Sequence, residues 1–188
     1  MRRSTGIYIV ILLLLAGLYF YLKDQPESVD TEATAEPTAP PIEYLFTPED
    51  GLPTSIRIES QDGEVVEVAR NEENAWALIL PEEAAADQGL VEAAASQVAT
   101  MRILDRIPDL SLEASGLDNP QYRISLQFTS GMERTIEIGV LTPTGRGYYT
   151  RSQDNATMIV SNSALDALLG LLTNPPYAPT EAPPPATP

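Results

Sequence analysis

The side chains of this 188-residue chain that could act as acid or base near neutral pH are carboxylates. There are 27 Asp and Glu residues but no histidine and no cysteine, so Ser-His, Cys-His and zinc sites cannot be built. The only lysine is Lys23, which excludes a Ser-Lys dyad, a Schiff base and a phosphate-loop lysine from the residues after it. Catalysis would need a carboxylate pair of the kind that hydrolyses glycosidic bonds.

The acidic residues are scattered, and with so many of them some must lie close together by chance. A general acid or base needs a tuned pKa, and no spacing in the sequence indicates one. The stretches "PEDG" at 48–51 and "PEEAAAD" at 81–87 lack the ligand spacing of a calcium loop. We therefore expect no enzymatic activity, no cofactor and no metal site.

Charge narrows the range of partners. From Asp24 onward 27 acidic side chains oppose 8 arginines, a net charge of −19. Such a surface repels phosphate backbones, so we expect no nucleic-acid partner. The acidic residues either keep the surface soluble or attract cations or a basic partner.

One cluster stands out as a possible partner surface: Tyr148, Tyr149 and Arg151. Tyrosine and arginine are enriched at the residues that dominate the binding energy of protein interfaces. Trp76 has a different setting, because it is in phase with Leu78 and we expect it in the core rather than on a ligand platform.

The elements that would position these residues follow an apolar leader. Residues 6–22 contain no charge and would span roughly 26 Å as a helix, close to the thickness of a bilayer core. Aromatic residues lie near both ends, and no small-residue cleavage site follows. We expect an uncleaved single-pass transmembrane helix over 6–22 that acts as a signal-anchor.

The flanking charges indicate its orientation. Arg2 and Arg3 precede the apolar segment, whereas Lys23 is followed at once by acidic residues. The positive-inside tendency places residues 1–5 in the cytoplasm and the remainder outside the cytoplasmic membrane. The membrane is thus an expected partner.

Two segments rich in proline bound the part that can fold. Residues 24–41 have almost no large apolar side chain and predict a linker. Residues 174–188 are richer still in proline and predict a disordered tail. Residues 42–173 remain as one domain, long enough to bury a core.

Within this domain the apolar periodicity switches between two and 3.6 residues. Alternating polarity predicts strands near residues 55–60, 65–70, 75–80, 102–107, 121–129, 134–140, 148–152 and 157–161. A longer helix begins after Asp87 and buries a stripe that starts at Leu90; a short helix ends at Gly116; a C-terminal helix has Ser163 as its cap. The order predicts an α+β fold: a mainly antiparallel sheet with all three helices packed on one face, preceded by the transmembrane helix.

The marks "AWALILP", "GLDNP", "RISLQF", "IEIG" and "GYYTRS" resemble, in their order and spacing, the domain-of-unknown-function family 4340 of bacterial membrane-anchored proteins. The resemblance covers roughly residues 56–172. It implies an amino-terminal anchor and an extracytoplasmic domain, and some members are encoded near ABC transporters of the type linked to gliding motility. The family has no established catalytic residues to carry over.

The sequence thus predicts a non-enzymatic, membrane-anchored accessory or binding domain, auxiliary to an ABC-type transporter or another envelope complex and partnered by other envelope proteins. An alternative is a structural subunit whose transmembrane helix packs against other subunits. A third hypothesis is a carboxylate-dependent cell-wall hydrolase.

Overall fold

A computed structural model describes residues 14, 16, 19, 21, 41–153 and 155–179 of the chain. The chain divides into two compact units, Met1–Pro41 and Ile42–Pro188. Five residues of the first unit are described: Leu14, Ala16, Tyr19 and Tyr21 are helical, and Pro41 is not. Within the described residues, no helix is both long and apolar enough to cross a membrane. The rest of the segment predicted to span the membrane, the linker up to residue 40 and the tail from residue 180 lie outside those residues.

The second unit is built on one sheet. In the described part of the chain this sheet has ten strands in the order β1-β6-β10-β9-β8-β7-β2-β3-β4-β5, and every neighbouring pair is antiparallel. The strands are β1 Glu43–Tyr44, β2 Pro53–Ser60, β3 Val65–Arg70, β4 Trp76–Leu80, β5 Ala84–Ala85, β6 Arg102–Arg106, β7 Tyr122–Phe128, β8 Glu133–Leu141, β9 Gly147–Ser152 and β10 Thr157–Ser161. The eight longer strands confirm the predicted ones, and the two-residue strands β1 and β5 escaped the period-two pattern because they are too short to show it.

Two helices cover one face of the sheet and form the core with it. Helix α1 spans Gln88–Val98, and helix α3 spans Asn162–Thr173. Their apolar sides pack on the strand residues that alternate inward, such as Ile56, Ile124 and Ile138, each 0% exposed. The opposite face of these strands carries the charged and hydroxyl side chains. This is the pattern of an antiparallel sheet with one face on a core.

The helix starts agree with the sequence in one case and differ in the other. Asp87 caps α1, and its Oδ1 accepts the N–H of Leu90 at 3.0 Å, as predicted. Helix α3 begins two residues earlier than expected, with Ser161 rather than Ser163 at the cap. The sequence predicted that Leu90 lies in the core. The residue is instead 45% exposed, because it borders a groove between α1 and α3.

The short helix α2, Leu112–Ser115, corrects the predicted layer arrangement. It does not join the other helices; it lies on the opposite face of the sheet, in the connection that carries the chain from β6 to β7. There the carbonyl oxygen of Leu117 accepts a hydrogen bond from Arg151, which projects from that polar face. Gly116 ends the helix with φ +68°, the left-handed cap predicted from the sequence. Periodicity finds a helix but does not say which face of a sheet receives it.

The carboxyl-terminal tail also differs from the prediction at its beginning. Residues 175–178 are not free of the domain but pair with the outer edge of β5. The N–H of Asp87 donates to the carbonyl of Pro176 at 2.8 Å, and the N–H of Ala178 donates to that of Ala85 at 2.9 Å. The composition of these residues concealed the pairing, because backbone hydrogen bonds at a sheet edge need no apolar side chain.

Candidate functional site

The connection between β1 and β2 passes along the helix-bearing face, past the ends of the strands that separate β1 from β2. It is fixed at both ends: the N–H of Leu45 donates to the carbonyl of Met101 at 2.8 Å, and the N–H of Thr129 donates to that of Leu52 at 2.9 Å. Between these points Phe46 points into the core, where its ring lies 5.3 Å from the ring of Phe128. The connection therefore forms a fixed bar across this end of the domain, and a cavity opens on each side of it.

A tight turn holds the middle of the bar. Asp50 is 5% exposed, and its Oδ2 accepts the N–H of Thr47 at 2.8 Å and the hydroxyl of Thr47 at 3.0 Å. Its Oδ1 accepts Nη2 of Arg134 at 3.3 Å. The backbone hydrogen bond from Thr47, followed by its hydroxyl and by Arg134, outweighs the effect of burial and lowers the pKa of Asp50.

The first cavity is polar and has a volume of about 380 Å³. Two arginines line it. The guanidinium of Arg106 donates to both carboxylate oxygens of Glu43, and the hydrogen bond with Arg106 is the main reason that the pKa of Glu43 is lowered. In Arg134 only Nη2 has a partner among the described residues, so its other two nitrogens are available to a ligand.

The second cavity is apolar and has a volume of about 450 Å³. The bar supplies one wall, and α1 supplies the other through Ala95, Val98 and its C-cap residue Ala99. The rings of Phe46 and Phe128 line its inner part. Leu52 lies at its edge with 66% of its surface exposed, which is high for a large apolar side chain. A concave apolar lining with few polar groups is the usual form of a small-molecule site.

The two cavities share three lining residues, Tyr44, Phe46 and Thr47. They therefore adjoin across the bar: one is lined by hydrocarbon, and the other by the guanidinium groups of Arg106 and Arg134 beside the carboxylates of Glu49 and Asp50. No pattern in the sequence led to these residues. The available signal was the presence of Tyr44, Phe46 and Leu52 in a segment otherwise rich in turn residues, directly after a proline-rich stretch.

The predicted partner surface of Tyr148, Tyr149 and Arg151 is not a single surface. Tyr148 lies on the helix-bearing face, where its hydroxyl donates to Oδ1 of Asp166 in α3 at 2.9 Å. Burial, together with this hydrogen bond and the charge of Asp166, raises the pKa of Tyr148 to about 12. Tyr149 and Arg151 lie on the opposite face, since neighbouring residues of a strand point to opposite sides.

Arg151 is engaged within the domain. Its guanidinium binds Glu137 through Nε at 2.8 Å and through Nη2, and Arg123 binds the same carboxylate at 3.2 Å. Burial alone would raise the pKa of Glu137, but the hydrogen bonds from Arg151 and Arg123 outweigh it and lower the pKa. Of the three residues, only Tyr149 makes no side-chain hydrogen bond or ion pair within the described structure.

Trp76 is in the core, as predicted, with 2% of its surface exposed. Its indole Nε1 donates to Glu92 at 2.8 Å, and the guanidinium carbon of Arg70 lies 4.4 Å from the ring centroid. The hydrogen bond from Trp76, followed by the one from Arg70, lowers the pKa of Glu92 despite the opposing effect of burial. The side chain of Gln88 bonds both the N–H and the carbonyl of Trp76. Through these contacts Trp76 links β4 to α1.

The described residues include no group of three acidic side chains placed to hold a metal ion. What the geometry defines is a sheet-based α+β domain with a bipartite cavity at the end where the chain enters it. The family model described as "Domain of unknown function (DUF4340)" matches residues 76–174, more than half of the chain. The chain therefore belongs to the DUF4340 family, and the resemblance predicted from the sequence is confirmed.

The match begins at Trp76, so it includes α1 and the strand ends that line the cavities but not the bar itself. Neither a curated protein nor a solved structure matches the chain.

Proposed function

We propose that this protein is a non-enzymatic accessory or binding domain, held at the outer face of the cytoplasmic membrane by residues 6–22 and auxiliary to an ABC-type transporter or another envelope complex. The observation that carries a binding role is the pair of adjoining cavities on either side of the β1–β2 connection. Their walls are held by backbone hydrogen bonds and by the Asp50–Thr47 turn, so the site is formed before a ligand arrives. A preformed site avoids the entropy cost of ordering it on binding.

The direction of the carboxyl pKa shifts supports binding over hydrolysis. A carboxyl that acts as a general acid near neutral pH needs a raised pKa. The carboxyls with a clear shift in the described residues, Glu43, Asp50, Glu92 and Glu137, all have lowered values. Each one accepts hydrogen bonds from an arginine of the domain. These groups serve as fixed acceptors within the fold.

The apolar leader and the implications of the family resemblance support the proposed envelope location. Co-purification tests it directly. The full chain, tagged at its carboxyl terminus and expressed at its native level, is extracted in several mild detergents, and the proteins that accompany it are identified. We expect a membrane fraction that contains the protein together with subunits of a transporter or another envelope complex. Recovery of the protein alone in every detergent, or from the soluble fraction, would contradict the proposal.

The alternative, a structural subunit, differs in the role of the apolar leader. Replacing residues 6–22 with an unrelated transmembrane helix separates the two. A tether tolerates the exchange, and the co-purifying proteins remain the same. A helix that packs against other subunits does not, and assembly is lost. The Ala16-Gly17 pair in this segment would allow a close helix approach but is not a GxxxG motif.

A further inference from the structure

We propose that the two cavities together bind a single-chain amphiphile, with its hydrocarbon chain in the apolar cavity and its anionic headgroup on Arg134. The inference rests on the binding role proposed above and names the ligand class of that site. Nothing in it depends on which envelope complex the protein accompanies.

The apolar cavity is suited to a chain of methylene groups. Phe46 and Phe128 are 7% and 4% exposed, so the rings that line it are themselves held by the core. Leu52 at the edge leaves most of its side chain in water. Covering such surface removes apolar area from water and favours an apolar chain, whereas the cavity offers a polar ligand few partners.

The polar cavity supplies the position for a negative headgroup. A guanidinium carries five N–H donors, and the ion pair with Asp50 uses only one nitrogen of Arg134. Asp50 cannot turn toward a ligand, because Thr47 holds its other oxygen through two hydrogen bonds. A phosphate or carboxylate oxygen would therefore add a charge-assisted hydrogen bond to Arg134 without displacing an existing one.

Charge also argues for one amphiphile molecule rather than a membrane surface as the ligand. The chain carries a net charge of −16, which opposes the approach of its surface to an anionic bilayer. Within that acidic surface, one cavity brings Arg106 and Arg134 together beside the carboxylates of Glu49 and Asp50, and the two nitrogens of Arg134 that Asp50 does not engage face a ligand there. A single headgroup can reach this point while the shared wall of Tyr44, Phe46 and Thr47 leads its chain toward the apolar side.

Photo-crosslinking of the full chain in lipid nanodiscs tests the proposal. The probe is a dodecyl phosphate that carries a diazirine in the middle of its chain, and the labelled residues are located by mass spectrometry. We expect label in residues 44–53 and 95–99. Unlabelled dodecyl phosphate should compete, and inorganic phosphate or dodecyl maltoside should compete at least about tenfold less well, because each offers only half of the interaction.

Matched variants test the apolar cavity and the polar cavity separately. Ala99→Phe fills the apolar cavity from the exposed residue that caps the carboxyl end of α1 and should abolish the label, whereas Ala93→Phe, exposed within α1 but lining the α1–α3 groove, should not. Arg134→Gln should weaken the competition by unlabelled dodecyl phosphate at least about fivefold. Arg57→Gln is its control, since both side chains are 42% exposed and ion-paired, but Arg57 lies on the opposite face.

The proposal is overturned by label spread over the unmodified chain, by equal competition from inorganic phosphate or dodecyl maltoside, or by label that survives in folded Ala99→Phe protein. Such results leave the co-purification experiment untouched. Conversely, amphiphile binding by a protein that copurifies with nothing would support this ligand and contradict the envelope-complex role.

Discussion

At the residue scale, the fold uses its carboxylates as hydrogen-bond acceptors in fixed positions. Asp50 shows this most clearly, since it is buried at the turn of the β1–β2 connection and receives two hydrogen bonds from Thr47 and one from Arg134. A buried acceptor that loses its charge leaves these donors poorly satisfied, so its replacement costs more than that of a surface carboxylate.

The substitution Asp50→Asn should lower the free energy of unfolding by about 1–3 kcal/mol at neutral pH. The folded-state pKa of Asp50 is below its unfolded value, so its contribution is complete above the ordinary Asp value of about 3.9. The contribution is lost as the pH falls through the lower folded value, and the difference between variant and parent should shrink there. Urea unfolding over a series of pH values measures it.

Glu59→Gln is the matched surface control. Glu59 is 42% exposed, and its carboxylate lies 3.9 Å from the guanidinium of Arg57, which makes a weak ion pair. Its replacement should therefore change the free energy of unfolding by less than about 0.5 kcal/mol at any pH. Equal effects of the two substitutions would mean that the turn at Asp50 does not hold the connection in place.

At the scale of elements, the two faces of the sheet receive different helices because of contacts that are remote in sequence. Helix α2 lies so close to β8 that a Cβ atom at Gly139 would overlap the carbonyl oxygen of Ser115. The backbone of β8 is therefore part of the surface on which α2 packs. A glycine in a strand interior often marks such a close approach of two backbones.

Gly139→Ala should lower the free energy of unfolding by about 1–3 kcal/mol, because the added methyl group must displace α2. Gly170→Ala in α3 should act in the opposite direction. Its Cβ would meet nothing within 4 Å, and alanine favours a helix interior by about 1 kcal/mol. Thermal unfolding of the two variants gives the comparison, and a neutral Gly139→Ala would contradict the placement of α2.

The carboxyl-terminal strap, residues 175–178, closes the outer edge of β5. Truncation after Asn174 removes the hydrogen bonds to Asp87 and Ala85 and should cost about 1–3 kcal/mol. Truncation after Pro179 leaves these bonds intact and should change stability little. Amide hydrogen exchange at Asp87 reports the loss locally, and equal stability of the two truncated forms would show that the strap contributes nothing.

At the scale of the whole molecule, the excess of acidic side chains dominates the long-range electrostatics. Most ion pairs of the described residues have at least one partner more than a third exposed, and such pairs contribute about 0–1 kcal/mol each. The acidic side chains that give the net charge of −16 repel one another across the surface. Screening should weaken the repulsion more than it weakens the pairs.

The thermal unfolding midpoint should therefore rise with ionic strength of sodium chloride. Calorimetry at low and high salt measures the change. The Arg57→Gln variant, which removes one exposed pair and makes the net charge more negative, should show a steeper rise. A midpoint that falls with salt would mean that the ion pairs outweigh the repulsion between the acidic residues.

The sequence by itself determined the local elements of the DUF4340 domain. Alternation located the long strands, because a strand with one buried face repeats every two residues whatever its partners are. Asp87 and Gly116 marked a helix start and a helix end through hydrogen bonds and a backbone angle that involve only nearby residues. The phase of Trp76 with Leu78 placed it in the core for the same reason.

Only the tertiary structure decided where these elements meet. The face that receives α2, the strap on β5 and the order of the ten described strands depend on contacts between residues far apart in the chain. The candidate site shows this best: Phe46 meets Phe128, and Asp50 meets Arg134, across more than 80 residues. Periodicity records which side of an element is buried. Periodicity does not record which element buries that side, because an apolar residue gives the same sequence pattern whichever neighbour it packs against.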